Sequence, residues 1–265
     1  MLTIPFHTID PIILRITPEI SLNWYGISYL AGILFVMLQS ERMGRKRPED
    51  FPEGVFHNCM FWGMIAIVVG GRLGDVLFYN AHYYMQNPWE ILATWKGGMS
   101  FHGGLIGALI TAVIYTRYHN VRLFHFIDVL VVNVPIALMF GRLANFINGE
   151  LYGRPTAVAW AIPFPKGGEI PRHPSQLYEA ALEGVALYLI LRFVYRRYYA
   201  RPGIVSAAFL LAYGLARFAV EYFRDSETLS WIQSHYLSGG QILSLPMIVA
   251  GLILLILLNH KATRT

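Results

Sequence analysis

The chain has 265 residues, 55% of them hydrophobic and only 14% charged, with a mean hydropathy of +0.44. Soluble domains are roughly one-quarter charged, so a soluble globular domain is excluded and one polytopic membrane domain covering residues 1–265 is expected. The formal charge of +5 does not point to nucleic acid, because the basic residues fall mostly in short loops between apolar runs, where orientation signals sit. The single cysteine, Cys59, rules out an intrachain disulfide, a CxxC pair and a cysteine-based zinc site.

In chain order, the opening stretch "MLTIPFHTIDPIILRITPEI" lacks a basic region followed by an apolar core and a small-residue cleavage site, so no cleavable signal peptide is expected. A spanning helix needs about 20 largely apolar residues. Seven segments come near that length, at 22–39, 55–78, 103–118, 127–147, 177–195, 203–223 and 242–259. The expected fold class is therefore all-α, with seven transmembrane helices. Loops at 42–47, 117–122, 192–201 and 261–264 carry twelve Lys and Arg, the alternate connections seven. That bias predicts an extracytoplasmic N-terminus and a cytoplasmic C-terminus. Two extracytoplasmic connections, about 80–102 and 149–176, are longer than turns need, and the Pro and Gly of "IPFPKGGEIPRHPSQ" suggest a compact cap instead of a long helix. "GRLGD" at 71–75 and "GRLAN" at 141–145 form a faint echo, thin evidence for duplication.

An ionisable residue at the bilayer centre costs about 2.5 to 3.5 kcal/mol on insertion scales, so the polar residues in these spans need a reason. With the predicted orientation they share one depth near the outer surface. Asn23 and Tyr25 belong to span one, Arg72 and Asp75 to span two, and His102 precedes span three. Arg142 and Asn145 end span four, Gln176, Glu179 and Glu183 begin span five, and Tyr213, Arg217, Glu221 and Arg224 close span six. The steps of four, four and three draw one stripe along span six, which must face a cavity because lipid would penalise it. Bland readings stand beside these: Arg72 with Asp75 as an ion pair, Glu179 and Glu183 as partners of a buried arginine, His102 as an interfacial histidine, and Tyr25 as a belt residue. The excess of convergent arginine favours a bound phosphate. Gly103 with Gly107, and Gly104 with Ala108, have the small-xxx-small spacing that lets helix backbones approach closely.

Four motifs carry a resemblance. "GRLANFINGELYG" at 141–153 is preceded by "HGGL" at 102–105 and followed by "HPSQLYE" at 173–179 and "YGLARFAVEYFR" at 213–224. Together, in this order, they resemble the bacterial prolipoprotein diacylglyceryl transferases, with no departure at the polar motif positions. The likeness runs from about Tyr25 through the last span.

The resemblance implies transfer of the diacylglyceryl group of phosphatidylglycerol to the lipobox cysteine thiol of a prolipoprotein signal peptide, releasing glycerol 1-phosphate. It further implies a multi-pass enzyme of the bacterial inner membrane, with membrane lipids around it, its site on the extracytoplasmic side, no cofactor or metal, and no nucleic-acid partner. Arg142 and Arg217 are the candidate grips on the phosphate. His102 is the candidate base for the thiol or, alternatively, a hydrogen-bond donor to the phosphate with Glu150 and Glu221 holding the arginines. Tyr25, Asn145, Asn148, Glu150, Gly153, Tyr213 and Glu221 are the candidate substrate-binding residues. The rival is an anionic-solute transporter or lipid-binding membrane protein using the same arginines. Such a transporter should distribute charge through the full depth of the membrane, whereas the inner halves of these spans are nearly bare. No lysine sits mid-span in the last segment for a retinal Schiff base, and no HExxH is present for a zinc protease.

Overall fold

The computed structural model describes residues 6, 9–17, 21–225 and 237–262, so Arg264, counted for sidedness, lies outside the described residues. The chain is mainly helical: α1 (Trp24–Gly44), α2 (Val55–Gly74), α3 (Ala81–Gln86), α4 (Phe101–Tyr118), α5 (Leu123–Ile147), α6 (Ser175–Glu179), α7 (Leu187–Tyr198), α8 (Ile204–Val220) and α9 (Gly239–Ala262). Wider π-type turns extend α2 through Asp75–Tyr79 and join α6 to α7 through Ala180–Ala186. The described residues also hold short 3-10 turns and two small antiparallel strand pairs, β1 (Ile12–Arg15) with β2 (Ser21–Asn23) and β3 (Ile162–Pro163) with β4 (Pro171–Arg172). Among the described residues three helices, Val55–Tyr79, Leu123–Ile147 and Gly239–His260, are long and apolar enough to cross a membrane. Their outward faces carry large apolar side chains such as Phe61, Trp62, Ile253 and Ile256, all about half exposed or more, which suits lipid better than water.

Each expected span contains a helix, but the edges differ where capping chemistry intervenes. Residues 21–23 belong to a strand, and α1 starts at Trp24 because Asn23 Oδ1 accepts from Gly26 N–H at 2.7 Å, satisfying a helix-end donor. The helix expected over 203–223 ends at Val220. Beyond it the chain makes tight turns and bridges back to Gly153, and Arg154 N–H donates to the Phe223 carbonyl at 2.9 Å. The polar stripe therefore leaves the helix before Arg224, which sits on that turn.

The chain divides into two compact units, residues 1–36 with 128–265, and residues 37–127. In the second unit α2 and α4 pack with backbones nearly touching. A Cβ at Gly103 or Gly107 would meet the carbonyls of Gly70 or Ala66, so the small-residue spacing is used for close approach. Ser100 opens α4, its Oγ accepting from Gly103 N–H at 3.2 Å. Arg72 does not pair with Asp75. It donates to the carbonyls of Glu90, Ile91, Ala93, Gly97 and Gly98, while Asp75 accepts from Asn80 at 3.0 Å and Tyr84 at 3.1 Å. A guanidinium with five N–H groups suits a loop that curls its carbonyls inward, and this pair of residues folds the 80–100 segment.

In the first unit, Gly32 of α1 lies against Ala137 of α5, and Gly251 of α9 against Ala207 and Leu211 of α8. Asp128 of α5 accepts from Gly203 N–H at 2.7 Å and from Ser206 N–H at 2.8 Å, so a carboxylate from α5 caps the start of α8. These contacts fix α5 against α1 and α8, and α8 against α9, within this unit.

Candidate active site

Three helical segments of the first unit deliver opposite charges to one place. Arg142 comes from the last turns of α5, Glu179 ends α6, Glu183 lies in the π-type segment, and Arg217 belongs to α8. Glu179 and Glu183 are fully buried. Arg142 Nε lies 3.3 Å from Glu179 Oε2, and its Nη2 is 3.5 Å from Glu183 Oε2. Arg217 Nη1 donates to Glu179 Oε1 at 2.9 Å, and its Nη2 reaches Glu221 Oε2 at 2.8 Å. Arg224 Nη1 donates to the same Glu179 Oε1 at 2.8 Å.

Counted formally, three arginines face three glutamates, so no excess of arginine charge exists in this cluster. What differs is depth. The carboxylates are 0–1% exposed, whereas the side chains of Arg142, Arg217 and Arg224 are 19%, 17% and 15% exposed. Carboxylates brace the guanidiniums from behind, and each guanidinium keeps donors unspent among the described residues: Nη1 of Arg142, Nε of Arg217, and Nε and Nη2 of Arg224. A planar cation held in this way keeps its orientation and still offers N–H groups to a phosphate.

Glu221, the cap residue after α8, is also held from α9. Ser238 Oγ donates to Glu221 Oε1 at 3.0 Å. Gly240 is required there because a Cβ would run into the Glu221 carboxylate. Tyr213 stands one turn before Arg217, half-buried and close enough to feel the charges of Glu183 and Arg142.

A second polar group adjoins the end of α5. Asn145 Nδ2 donates to Glu150 Oε1 at 3.0 Å, and Asn148 Nδ2 donates to the same atom at 3.2 Å. Tyr25 hydrogen-bonds Tyr29 at 3.1 Å and lies near enough to Asn145 and Glu150 to interact with them electrostatically. Glu150 thus holds asparagines, not arginines as one reading of the sequence had it. Its nearest cation is Lys166, at 3.9 Å. Gly149, at φ 61°, takes the chain off the helix. Gly153 does something else. Its N–H donates to His173 carbonyl at 2.9 Å, its carbonyl accepts from Arg172 at 3.3 Å, and a Cβ would strike the Phe223 and His173 backbone. It is buried and spent on holding the 150–155 segment between two others.

His102, the second residue of α4, belongs to the other unit; its side chain is exposed and its ring stands edge-on to Phe101. In the loop after α5, burial lowers the His173 pKa from its ordinary value, and its ring meets Tyr178 and Phe223.

A cavity of about 750 Å³ opens beside the arginine cluster, its lining including Arg217, Glu221, Arg224, Glu150, Tyr152 and Lys166. The residues that the sequence left out of its candidate site are Glu179, Glu183, Arg224 and Gln176. The signal for the first two was their spacing of four on one span. The signal for Arg224 was the stripe, although it turns out to lie off the helix. Gln176 is fully buried, with Nε2 donating to the Glu150 carbonyl at 2.7 Å.

Helices with lipid-compatible faces, and polar groups gathered at their ends around braced guanidiniums, define a membrane protein with a centre suited to an anionic group. The family model described as prolipoprotein diacylglyceryl transferase matches residues 11–257. Proteins named phosphatidylglycerol–prolipoprotein diacylglyceryl transferase from Brucella canis and Brucella ovis are each 42% identical, over 98% of this chain and 95% of the relative. The one from Brucella anthropi is 42% identical over 93% of this chain and 91% of its own. The chain belongs to the prolipoprotein diacylglyceryl transferase family, and so to the transferases.

Proposed function

We propose that this protein transfers the diacylglyceryl group of phosphatidylglycerol to the lipobox cysteine thiol of a prolipoprotein, forming a thioether and releasing glycerol 1-phosphate, the first step of bacterial lipoprotein maturation. Family membership supports the reaction and argues against the anion-transport reading. The observation that carries the mechanism is the set of three guanidiniums braced by buried carboxylates and left with spare donors.

The substrate supplies the nucleophile, so the enzyme requires no reactive cysteine of its own. The cysteine sulfur attacks a glycerol carbon of the lipid. A carbon–sulfur bond forms, the carbon–oxygen bond to the phosphate breaks, and the bonding pair leaves on oxygen. Charge grows on the phosphate as that bond stretches, and fixed donors already aimed at it cost no reorganisation. Arg142 and Arg217 take this role in the proposal, and Glu179, Glu183 and Glu221 hold them in register. Asn145, with Tyr25 and Asn148 near it, orients the headgroup around Glu150, and Tyr213 lines the approach. Gly153 serves by keeping the 150–155 segment in place.

The thiol proton needs an acceptor, because a free thiol with pKa of about 8.5 is only slightly ionised at neutral pH. His102 is proposed for it on the resemblance alone. Replacing His102 with Gln should abolish transfer near pH 7 and allow partial recovery as pH rises and the thiol ionises unaided; absence of recovery would reassign His102 to holding phosphate.

The proposal includes seven spans with the N-terminus outside, a cap built from about 80–102 and 149–176, placement in the inner membrane, and a site that opens extracytoplasmically, supported by the loop charges and by the depth at which the polar residues collect. The direct test incubates purified protein with phosphatidylglycerol and a synthetic lipobox peptide and weighs the peptide by mass spectrometry. A diacylglyceryl-sized mass gain is expected on the cysteine peptide and none on its serine counterpart. No gain on either would end the proposal.

A further inference from the structure

The cavity beside Arg217 brings further cations next to one of the two arginines proposed to grip the lipid phosphate. Its charged lining is Arg217, Arg224 and Lys166 with the carboxylates Glu221, Glu150 and Asp225, the last already paired with Arg172 at 2.6 Å. At about 750 Å³ it falls within the ordinary size of small-molecule sites. Two features bear on what fits. Arg224 uses only Nη1, toward Glu179, so Nε and Nη2 remain without partners among the described residues. Lys166 is 63% exposed and only loosely paired, its Nζ 3.9 Å from Glu150. Arg224 can offer Nε and Nη2 to an incoming anion while its Nη1 stays on Glu179 at 2.8 Å, and Lys166 can turn without breaking a short ion pair, whereas Glu221 is already committed to Arg217 and Ser238.

The reaction changes the charge of the phosphate. In the donor lipid it is a diester with one negative charge. Once the glycerol carbon–oxygen bond has broken it is a monoester, which carries about −1.5 to −2 at pH 7 because its second pKa is near 6. A further cation beyond those that hold the diester is therefore matched to the product and not to the substrate, and Arg217 belongs both to the arginine cluster and to the cavity lining.

We propose that this cavity is a binding site for the released phosphate monoester, with Arg224 and Lys166 as its extra cations, and that the enzyme is consequently restrained by its own water-soluble product. The inference rests on the transferase reading given above. Its ligand chemistry, a glycerophosphate, is shared by the lipid headgroup and the free ester, and the experiment separates them.

The test uses the full-length protein in phosphatidylglycerol vesicles with a lipobox peptide, and adds glycerol 1-phosphate. Wild-type protein should be inhibited, and the inhibition should weaken below about pH 6 as the monoester loses its second charge. Lys166→Ala should keep the uninhibited rate and the donor KM, and should raise the inhibition constant about tenfold, with Lys166→Arg restoring most of it. Equal inhibition of wild type and Lys166→Ala, or no inhibition at millimolar ester, would overturn the proposal. So would a donor KM raised by Lys166→Ala with the inhibition constant unchanged, since the cavity would then serve the lipid headgroup. Equilibrium dialysis of radiolabelled glycerol 1-phosphate against the solubilised protein gives a readout that needs no turnover. If the vesicles make no lipid-linked peptide, the transferase reading fails; if the ester does not bind in dialysis, or binds Lys166→Ala equally well, the cavity assignment fails.

Discussion

Removing the Arg142 guanidinium takes away one of the fixed cations that would meet charge developing on the leaving phosphate, and it leaves Glu183 buried with only Arg217, at 4.0 Å, for company. Arg142→Ala should therefore lower the transfer rate by about 10² to 10³ while the protein still inserts, measured as peptide lipidation per molecule of membrane-inserted enzyme. Glu179 is the more connected residue, since one carboxylate touches all three arginines. Glu179→Gln retains shape and an acceptor but removes the charge that sets the guanidiniums, so transfer should fall while thermal stability changes less. Glu179→Leu should destabilise by about 3 to 5 kcal/mol, because breaking a buried pair strands its partner's charge. Unfolding midpoints in detergent separate the two. At this scale the sequence was informative because charge in an apolar span stands out. It singled out Arg142, Arg217 and Glu221 as candidates, and it offered Glu179 and Glu183 as arginine partners, the pairing the cluster has. It did not reveal that Glu150 gathers asparagines or that Arg72 binds loop carbonyls, since both depend on where a loop brings backbone oxygens.

Among the elements, the α2–α4 pair is the most exacting. With backbones this close, Gly103→Leu drives a side chain into the Gly70 carbonyl. Overpacking of this kind costs about 1 to 3 kcal/mol, and a lower unfolding midpoint together with lost activity is expected, whereas Gly63→Leu, with no atom near its Cβ position, should do neither. The close pair was legible from small-xxx-small spacing. The early end of α8 was not, because apolar residues and the polar stripe continue past Val220, and only the bridge to Gly153 shows where the chain turns. The π-type segments were equally hidden, having no composition of their own. In the 149–176 loop, burial lowers the His173 pKa from about 6.5. The unfolded loop then binds a proton more readily than the folded one, so this contribution to stability is complete above about pH 6.5 and declines as pH falls below it. Limited proteolysis of that loop should quicken at pH 5 relative to pH 7.5, and the difference should shrink in His173→Phe.

For the whole molecule, the membrane class was legible from composition alone, and the distribution of Lys and Arg among the loops supplied the proposed sidedness. The division into two compact units was not legible, because it follows from which helices pack and not from any change in composition. If the proposed orientation holds, Ala157→Cys is labelled by a membrane-impermeant maleimide added outside intact cells, and Ala200→Cys only after lysis; Cys59, buried in the structure, stays unlabelled in both. The central claim is that a lipid glycerol carbon moves to sulfur while its phosphate departs, and phosphatidylglycerol labelled with tritium in the diacylglyceryl glycerol and with ³²P measures it most directly. The account predicts one tritiated peptide for every ³²P-labelled glycerol phosphate released, with both products lost in Arg142→Ala and Arg217→Ala. Radioactive phosphorus retained on the peptide, or peptide labelling unaffected by loss of both arginines, would contradict it.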